Sequence, residues 1–165
     1  MTALKAISLL GATLAMGLVA GVFALYAHTI MPALKHTDDR TFVAAFQSLD
    51  RAIVNPWFML TAFLGALVLT LAAAVTNLGN PALPWIAVAL ALYLVAFVVT
   101  LAVHVPLNDA LKAAGNPDRI RDLAAVRERF HETRWAAWNL VRVATSAAAF
   151  GCLAWALVLY GRATA

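Results

Sequence analysis

The chain has 165 residues, 64% of them hydrophobic and 12% Asp, Glu, Lys or Arg. That balance excludes an ordinary water-soluble domain, which has no core large enough to take up so much apolar surface. Twelve Lys and Arg stand against eight Asp and Glu, intermixed in the polar segments without Gly/Ser linkers or aromatic interleaving, so the net charge of +4 does not point to a nucleic-acid partner.

Residues 6–34, 52–108 and 143–161 contain no Asp, Glu, Lys or Arg. A membrane helix needs about 20 apolar residues, so the middle block is long enough for two crossings, and Asn77-Leu78-Gly79-Asn80-Pro81-Ala82-Leu83-Pro84 breaks it with a turn. The pattern predicts an all-α fold, a four-transmembrane-helix bundle with spans at about 6–28, 57–77, 84–104 and 136–160. Two amphipathic cytoplasmic helices join the spans, and residues 1–165 form a single membrane domain. The first apolar run exceeds the roughly 7–15 residues of a secretory signal core, so it reads as a span. The lone Cys152 permits no internal disulfide. Lys35, Arg40, Arg51, Lys112, Arg119, Arg121, Arg127, Arg129 and Arg134 lie in the two long inter-span segments, and only Lys5 and Arg162 lie on the other side. By the positive-inside rule this predicts an integral protein of the plasma (inner) membrane, with both termini outside and the long loops cytoplasmic.

Span 1 carries Gly17 and Gly21, a small-xxx-small pair suited to close helix approach and to a homo-oligomer. Ala24 and His28 continue that face, so His28 either points into the bundle near its cytoplasmic end or sits as an interfacial histidine in water. In the first loop, Thr37-Asp38-Asp39-Arg40 reads as a helix start. Phe42, Phe46, Leu49 and Ile53 follow at helical spacing, the apolar stripe of a helix lying on the membrane or against the bundle. Asn55-Pro56 ends it, and Trp57 marks the interface at which span 2 begins.

Span 3 places Tyr93, Phe97, Thr100 and His104 on one face, either as aromatic packing with a terminal histidine or as the aromatic wall of a site. Pro106 is expected to end this helix, and Asn108 either ties down the opened turn or binds a carbonyl or hydroxyl. Asn116-Pro117-Asp118 caps a second, Arg-rich amphipathic helix that leads into residues 131–142. There His131, Trp135, Trp138 and Arg142 fall within roughly 60° of one another, with Asn139 beside them. An arginine one or two turns inside a membrane segment costs about 2.5–3.5 kcal/mol on insertion scales unless it faces protein or a wet cavity. The stripe therefore reads as one wall of a site or as a packed polar plug.

All four histidines (His28, His36, His104 and His131) fall on the predicted cytoplasmic side. No two of them have ligand spacing on one helix, so no metal site is expected. His28 and His104, from different spans, are the pair that would ligate a haem iron. A partial internal echo relates His28, Pro32, Ala33-Leu34-Lys35, Asp39-Arg40 and Trp57 to His104, Pro106, Ala110-Leu111-Lys112, Asp118-Arg119 and Trp135.

Several of these pieces resemble one family. The Gly-rich span leading to Met31-Pro32-Ala33-Leu34, Phe46-Gln47 before Pro56, Val105-Pro106-Leu107-Asn108 with Leu111, and Trp135-xxx-Asn139-xx-Arg142 are similar to the small four-helix membrane proteins of the anthrone oxygenase-like family. The resemblance implies oxidation of an anthrone, a flat phenolic aromatic, to an anthraquinone by dioxygen, with no established cofactor. On that reading His131 or His104 would be the base and Arg142 with Asn108 would stabilise the enolate oxygen. Tyr93, Phe97, Trp135 and Trp138 would stack on the rings of this lipophilic small molecule, with Asn139 and His28 nearby. The alternatives are a non-enzymatic membrane protein that binds a lipophilic small molecule or a partner subunit, and a b-type haem protein.

Overall fold

The structure, a computed structural model, describes residues 2–164, and every regular element among them is a helix. Four stretches are long and apolar enough to cross a membrane: Ala3–Lys35, Pro56–Thr76, Leu83–Ala113 and Leu123–Ala163. They match the four expected spans to within a residue or contain them, and the first, third and fourth run well further at the end that carries the two long polar loops, here called the polar end. The first is α1 (Thr2–Leu25), a π turn at Tyr26–Ile30 and α2 (Met31–Lys35). After α3 (Asp39–Ile53) the second comprises α4 (Pro56–Phe58), a π turn at Met59–Phe63 and α5 (Leu64–Thr76). The third is α6 (Leu83–Val99), a π turn at Thr100–His104 and α7 (Val105–Ala113). A 3₁₀ turn at Pro117–Arg119 and α8 (Leu123–Phe130) lead to α9 (Glu132–Thr164), the longest helix. In the bundle α1 packs on α5 and α9, and α6 packs on α9.

Two of the π turns answer prolines. A proline inside a helix lacks an N–H and drives its ring at the carbonyl four residues earlier. For Pro32 and Pro106 those carbonyls belong to His28 and Ala102, each inside a π turn. The wider turn moves the carbonyl aside, and Val105 N–H reaches the Thr100 carbonyl instead. Pro106 therefore does not end the third helix, contrary to expectation, and α7 carries the span out to Ala113. His28 is exposed, like Gly21 seven residues earlier, and takes the interfacial place rather than the bundle interior, its Nδ1 2.7 Å from the Thr29 hydroxyl. Of the glycine pair, only Gly17 packs closely: a Cβ there would lie 3.0 Å from Phe150, whereas Gly21 faces open space.

The π turn at Met59–Phe63 makes its own demand. A Cβ on Gly65 would stand 2.6 Å from the Leu60 carbonyl oxygen, a backbone atom that cannot step aside. Gly65→Ala is expected to lower stability by about 1–3 kcal/mol, the range for forced overpacking. A melting curve in detergent checks this, with Gly21→Ala expected to melt within a degree or two of the parent.

The polar end is a built layer. Asp38 caps α3, accepting from Thr41 N–H and from its hydroxyl, and those bonds hold its carboxyl below the usual carboxylate range. The cap is complete above the ordinary aspartate pKa and is lost as pH falls through the lowered one. Phe42, Val43 and Phe46 of α3 bury against Val126 and Phe130 of α8, Leu111 of α7 and Trp135 of α9, so α3 lies against the protein. This second apolar cluster is separate from the bundle core around Leu9, Met16, Val19, Ile86, Tyr93 and Leu153. Arg127 fastens the layer: it donates to the Thr37 carbonyl at 2.8 Å, pairs with Asp39 at 3.1 Å and Glu132 at 2.5 Å, and lies 4.3 Å over the Phe42 ring. Arg40 bridges α3 to Asp118.

The second amphipathic helix starts later than its sequence suggests. Asn116 does cap, accepting from Asp118 N–H, but it closes only the short 3₁₀ turn. Asp122 caps the helix proper by accepting from Ala125 N–H. That helix stops at His131, whose backbone is left-handed at φ 53°, ψ 59°. Histidine is among the few residues besides glycine that take this conformation with any frequency.

Candidate active-site cavity

Where the bundle core meets the polar-end cluster, the helices leave a cavity of about 310 Å³. That volume lies at the lower end of small-molecule sites, which run from about 300 to 1,000 Å³. Phe23 and Phe63 belong to its bundle side, and Phe46 and Trp135 to its polar-end side. Its polar groups are Asp50, His104, Asn108, Lys112 and Arg142, with Tyr26 and Thr100 beside them. Each main helical stretch contributes, including α3 through Asp50.

Trp135 is the hub of this wall. Its ring meets Tyr26 at 5.8 Å, Phe46 edge-on at 5.7 Å, Phe130 at 6.3 Å and His104 edge-on at 4.8 Å. Its indole N–H donates to Asn108 Oδ1 at 2.9 Å. Asn108 Nδ2 in turn donates to Asp50 Oδ1 at 2.6 Å, and Lys112 Nζ pairs with Asp50 Oδ2 at 2.7 Å. Asn108 is thus committed at both ends and acts as a strut between α3 and α9, holding a buried carboxylate and the tryptophan at fixed separation.

Two cavity groups each keep a ring or guanidinium nitrogen without a hydrogen bond of ordinary geometry among the described residues. His104 is 1% exposed. Its Nδ1 makes a long contact of 3.4 Å to the Val99 carbonyl, which can only accept, so the proton is favoured on Nδ1 and the lone pair on Nε2. Nε2 has no partner. Arg142 is 6% exposed inside the membrane-spanning part of α9. It donates to Asn139 Oδ1 at 2.7 Å, lies 3.4 Å from the Thr100 hydroxyl, and stands over the rings of Phe23 at 4.3 Å and Trp135 at 5.4 Å. Among the described residues no carboxylate pairs with it, and its Nε has no partner. Cation–π contact softens the cost of burying the charge but leaves the charge uncompensated. Asn139 orients the guanidinium and is itself fixed by donating to the Phe23 carbonyl at 3.1 Å.

The expected stripe on the last helix survives in part. Trp135, Asn139 and Arg142, at i, i+4 and i+7, are buried together. Trp138 is not with them: it is 40% exposed on the side of α9 that looks away from the bundle. His131 is exposed as well, because the left-handed residue breaks the helix on which its place in the stripe depended. Tyr93 and Phe97 sit behind the cavity. Tyr93 is fully buried and donates its hydroxyl to the Phe63 carbonyl at 2.7 Å, and Phe97 stacks on Phe63 at 5.2 Å. The cavity contains one of the four histidines. His28 and His36 are exposed, so His28 and His104 do not meet as an axial pair. Among the described residues no three His, Cys, Asp or Glu side chains gather closely enough to hold a metal ion.

Asp50, Tyr26 and Phe23 are cavity residues that sequence reasoning passed over. A signal for Asp50 was present: it follows Phe42 and Phe46 at four-residue steps, an acid on an otherwise apolar stripe. Tyr26 and Phe23 had none, since they lie within a generally apolar span.

These features define a class, an integral membrane protein of four helical spans with an aromatic-walled cavity that holds a buried imidazole and an uncompensated guanidinium. The family model for anthrone oxygenase matches residues 52–152, and the chain belongs to that family. The match includes His104, Asn108, Trp135, Asn139 and Arg142 and begins beyond the Met31–Leu34 and Phe46-Gln47 pieces. No curated protein and no solved structure matches the chain.

Proposed function

We propose that the cavity binds a flat phenolic ketone of the anthrone kind and oxidises its acidic methylene carbon with dioxygen. The observation that carries this reading is the presence of a buried imidazole, His104, and an uncompensated Arg142 on one aromatic-walled cavity, in a member of this family. His104 Nε2 takes a proton from the methylene, and Arg142 receives the charge that develops on the ketone oxygen as the enolate forms. The enolate passes one electron to dioxygen. The resulting radical pair combines, and the peroxide takes the proton back from His104. Loss of the second methylene proton with cleavage of the O–O bond gives the new carbonyl and one water. One dioxygen is consumed per quinone, and the electrons balance between substrate and oxygen alone. Phe23, Phe46 and Trp135 are the surfaces on which the rings lie. The polar end, with nine of the cations outside the spans, faces the cytoplasm of the cell membrane in this reading.

The test is protein-dependent oxygen uptake with an anthrone, matched one to one by quinone absorbance and measured above the spontaneous rate. His104→Gln keeps the side chain's bulk and removes the base, so kcat is expected to fall about 10²–10⁴-fold. Uptake unchanged in that variant removes His104 from the mechanism.

A further inference from the structure

The cavity has a mouth, and its rim is informative. Three wall residues belong to the exposed apolar surface: Val54 at 59%, Leu101 at 52% and Val105 at 40%. Leu101 and Val105 stand one turn apart on the outer side of the third span, and Val54 lies in the link before Pro56 opens the second. Trp57, three residues beyond Val54 and 65% exposed, has the placement of a residue at the boundary between hydrocarbon and headgroups. One turn further along the Leu101–Val105 line comes Asp109, whose side chain is 60% exposed and pairs with Lys112 at 3.0 Å. The mouth thus has an aliphatic lip toward the membrane core and a charged lip toward water. Arg142 and His104, the groups that would act on a ligand, lie inside.

We infer that the cavity draws its ligand sideways out of the bilayer, from the leaflet at the polar end, through the gap rimmed by Val54, Leu101 and Val105. Its substrate is on this account a neutral aromatic already dissolved in the membrane. The inference rests on the reading that the cavity holds a flat aromatic. It adds that the ligand crosses the rim uncharged, because charge in hydrocarbon is costly, and loses its proton only inside, where Arg142 waits. An exposed aliphatic rim around a cavity belongs against acyl chains, where it costs nothing, and not in water.

The experiment uses the full-length protein in phosphatidylcholine vesicles. Trp57→Phe, Trp85→Phe, Trp138→Phe and Trp155→Phe leave Trp135, the cavity tryptophan, as the fluorescent reporter. Anthraquinone is the quenching probe. The quenching rate is expected to follow the probe-to-lipid ratio, so that doubling the lipid at constant total probe halves it. Val105→Phe and Val54→Phe, two independent narrowings of the rim, are each expected to slow association roughly tenfold, as when binding must wait on a conformational change, with the final extent of quenching kept. A rate that follows aqueous probe concentration regardless of lipid overturns the lateral route and leaves the flat-aromatic reading standing. So does slowing by Asp109→Leu while both phenylalanine variants bind at the parental rate. Lipid-dependent quenching without oxygen uptake keeps the route and removes the oxygenase. Absence of quenching at any loading overturns both.

Discussion

Arg142→Met is expected to lower turnover by about 10²–10³-fold, the usual loss when one donor to a developing oxyanion is removed, while leaving the protein at least as stable as its parent. The two effects have opposite signs for one reason. Arg142 is buried in a span with no carboxylate beside it. Removing such a charge recovers an insertion cost of about 2.5–3.5 kcal/mol. Against this stands the donor that Asn139 Oδ1 loses, a buried oxygen left unpaired at about 1–3 kcal/mol. Methionine keeps the stem's contacts with Phe23 and Trp135. Melting temperature and oxygen uptake measured on the same preparation decide the matter. If the methionine variant turns over normally, the arginine is a structural plug and the proposed chemistry fails. Arg142→Lys should give partial activity, since the charge stays but the planar fork that meets Asn139 and the two rings does not.

Trp135→Ala is expected to be the most destabilising single change, costing about 3–5 kcal/mol as do other large aromatic truncations. The side chain is 2% exposed and touches four rings. Trp135→Phe separates packing from hydrogen bonding. It keeps most of the ring contacts but leaves Asn108 Oδ1 without its donor, at a cost of about 1–3 kcal/mol. Because Asn108 also holds Asp50, the phenylalanine variant should lose activity beyond its loss of stability. Chemical unfolding in detergent gives the first quantity and oxygen uptake at a temperature well below melting gives the second. An alanine variant within about 1 kcal/mol of the parent would rule out the hub role.

The spans were legible because charge-free blocks of membrane length leave little else for a chain to do. The joint burial of Trp135, Asn139 and Arg142 was legible from their spacing, since α9 runs unbroken from Glu132. Two inferences failed at an irregularity of the backbone. The π turn at Thr100–His104 lets the helix pass Pro106. The left-handed residue at His131 ends one helix and begins another with no glycine to announce it. Periodicity assumes a constant angle per residue, and these are the points at which the angle changes. Tyr93 shows a further limit: its place on the face of Thr100 and His104 was sound, yet its hydroxyl goes to the Phe63 carbonyl behind the cavity. Which side of a buried face holds empty space depends on neighbours that one helix does not specify.

The position of the cavity between two separate apolar clusters bears on how long it persists. A bundle buried in lipid and a small water-facing layer need not open together, and local opening draws on the less stable unit first. The layer of α3 and α8 rests on a handful of rings, the Arg127 contacts, and a few polar ties from Arg40, Gln47 and Asp50 of α3. If it lifts, Asp50 and one aromatic wall leave while all four crossings stay in place. Far-ultraviolet ellipticity would then report an intact protein whose cavity had already come apart, so a preparation's helicity is no measure of the state of its cavity.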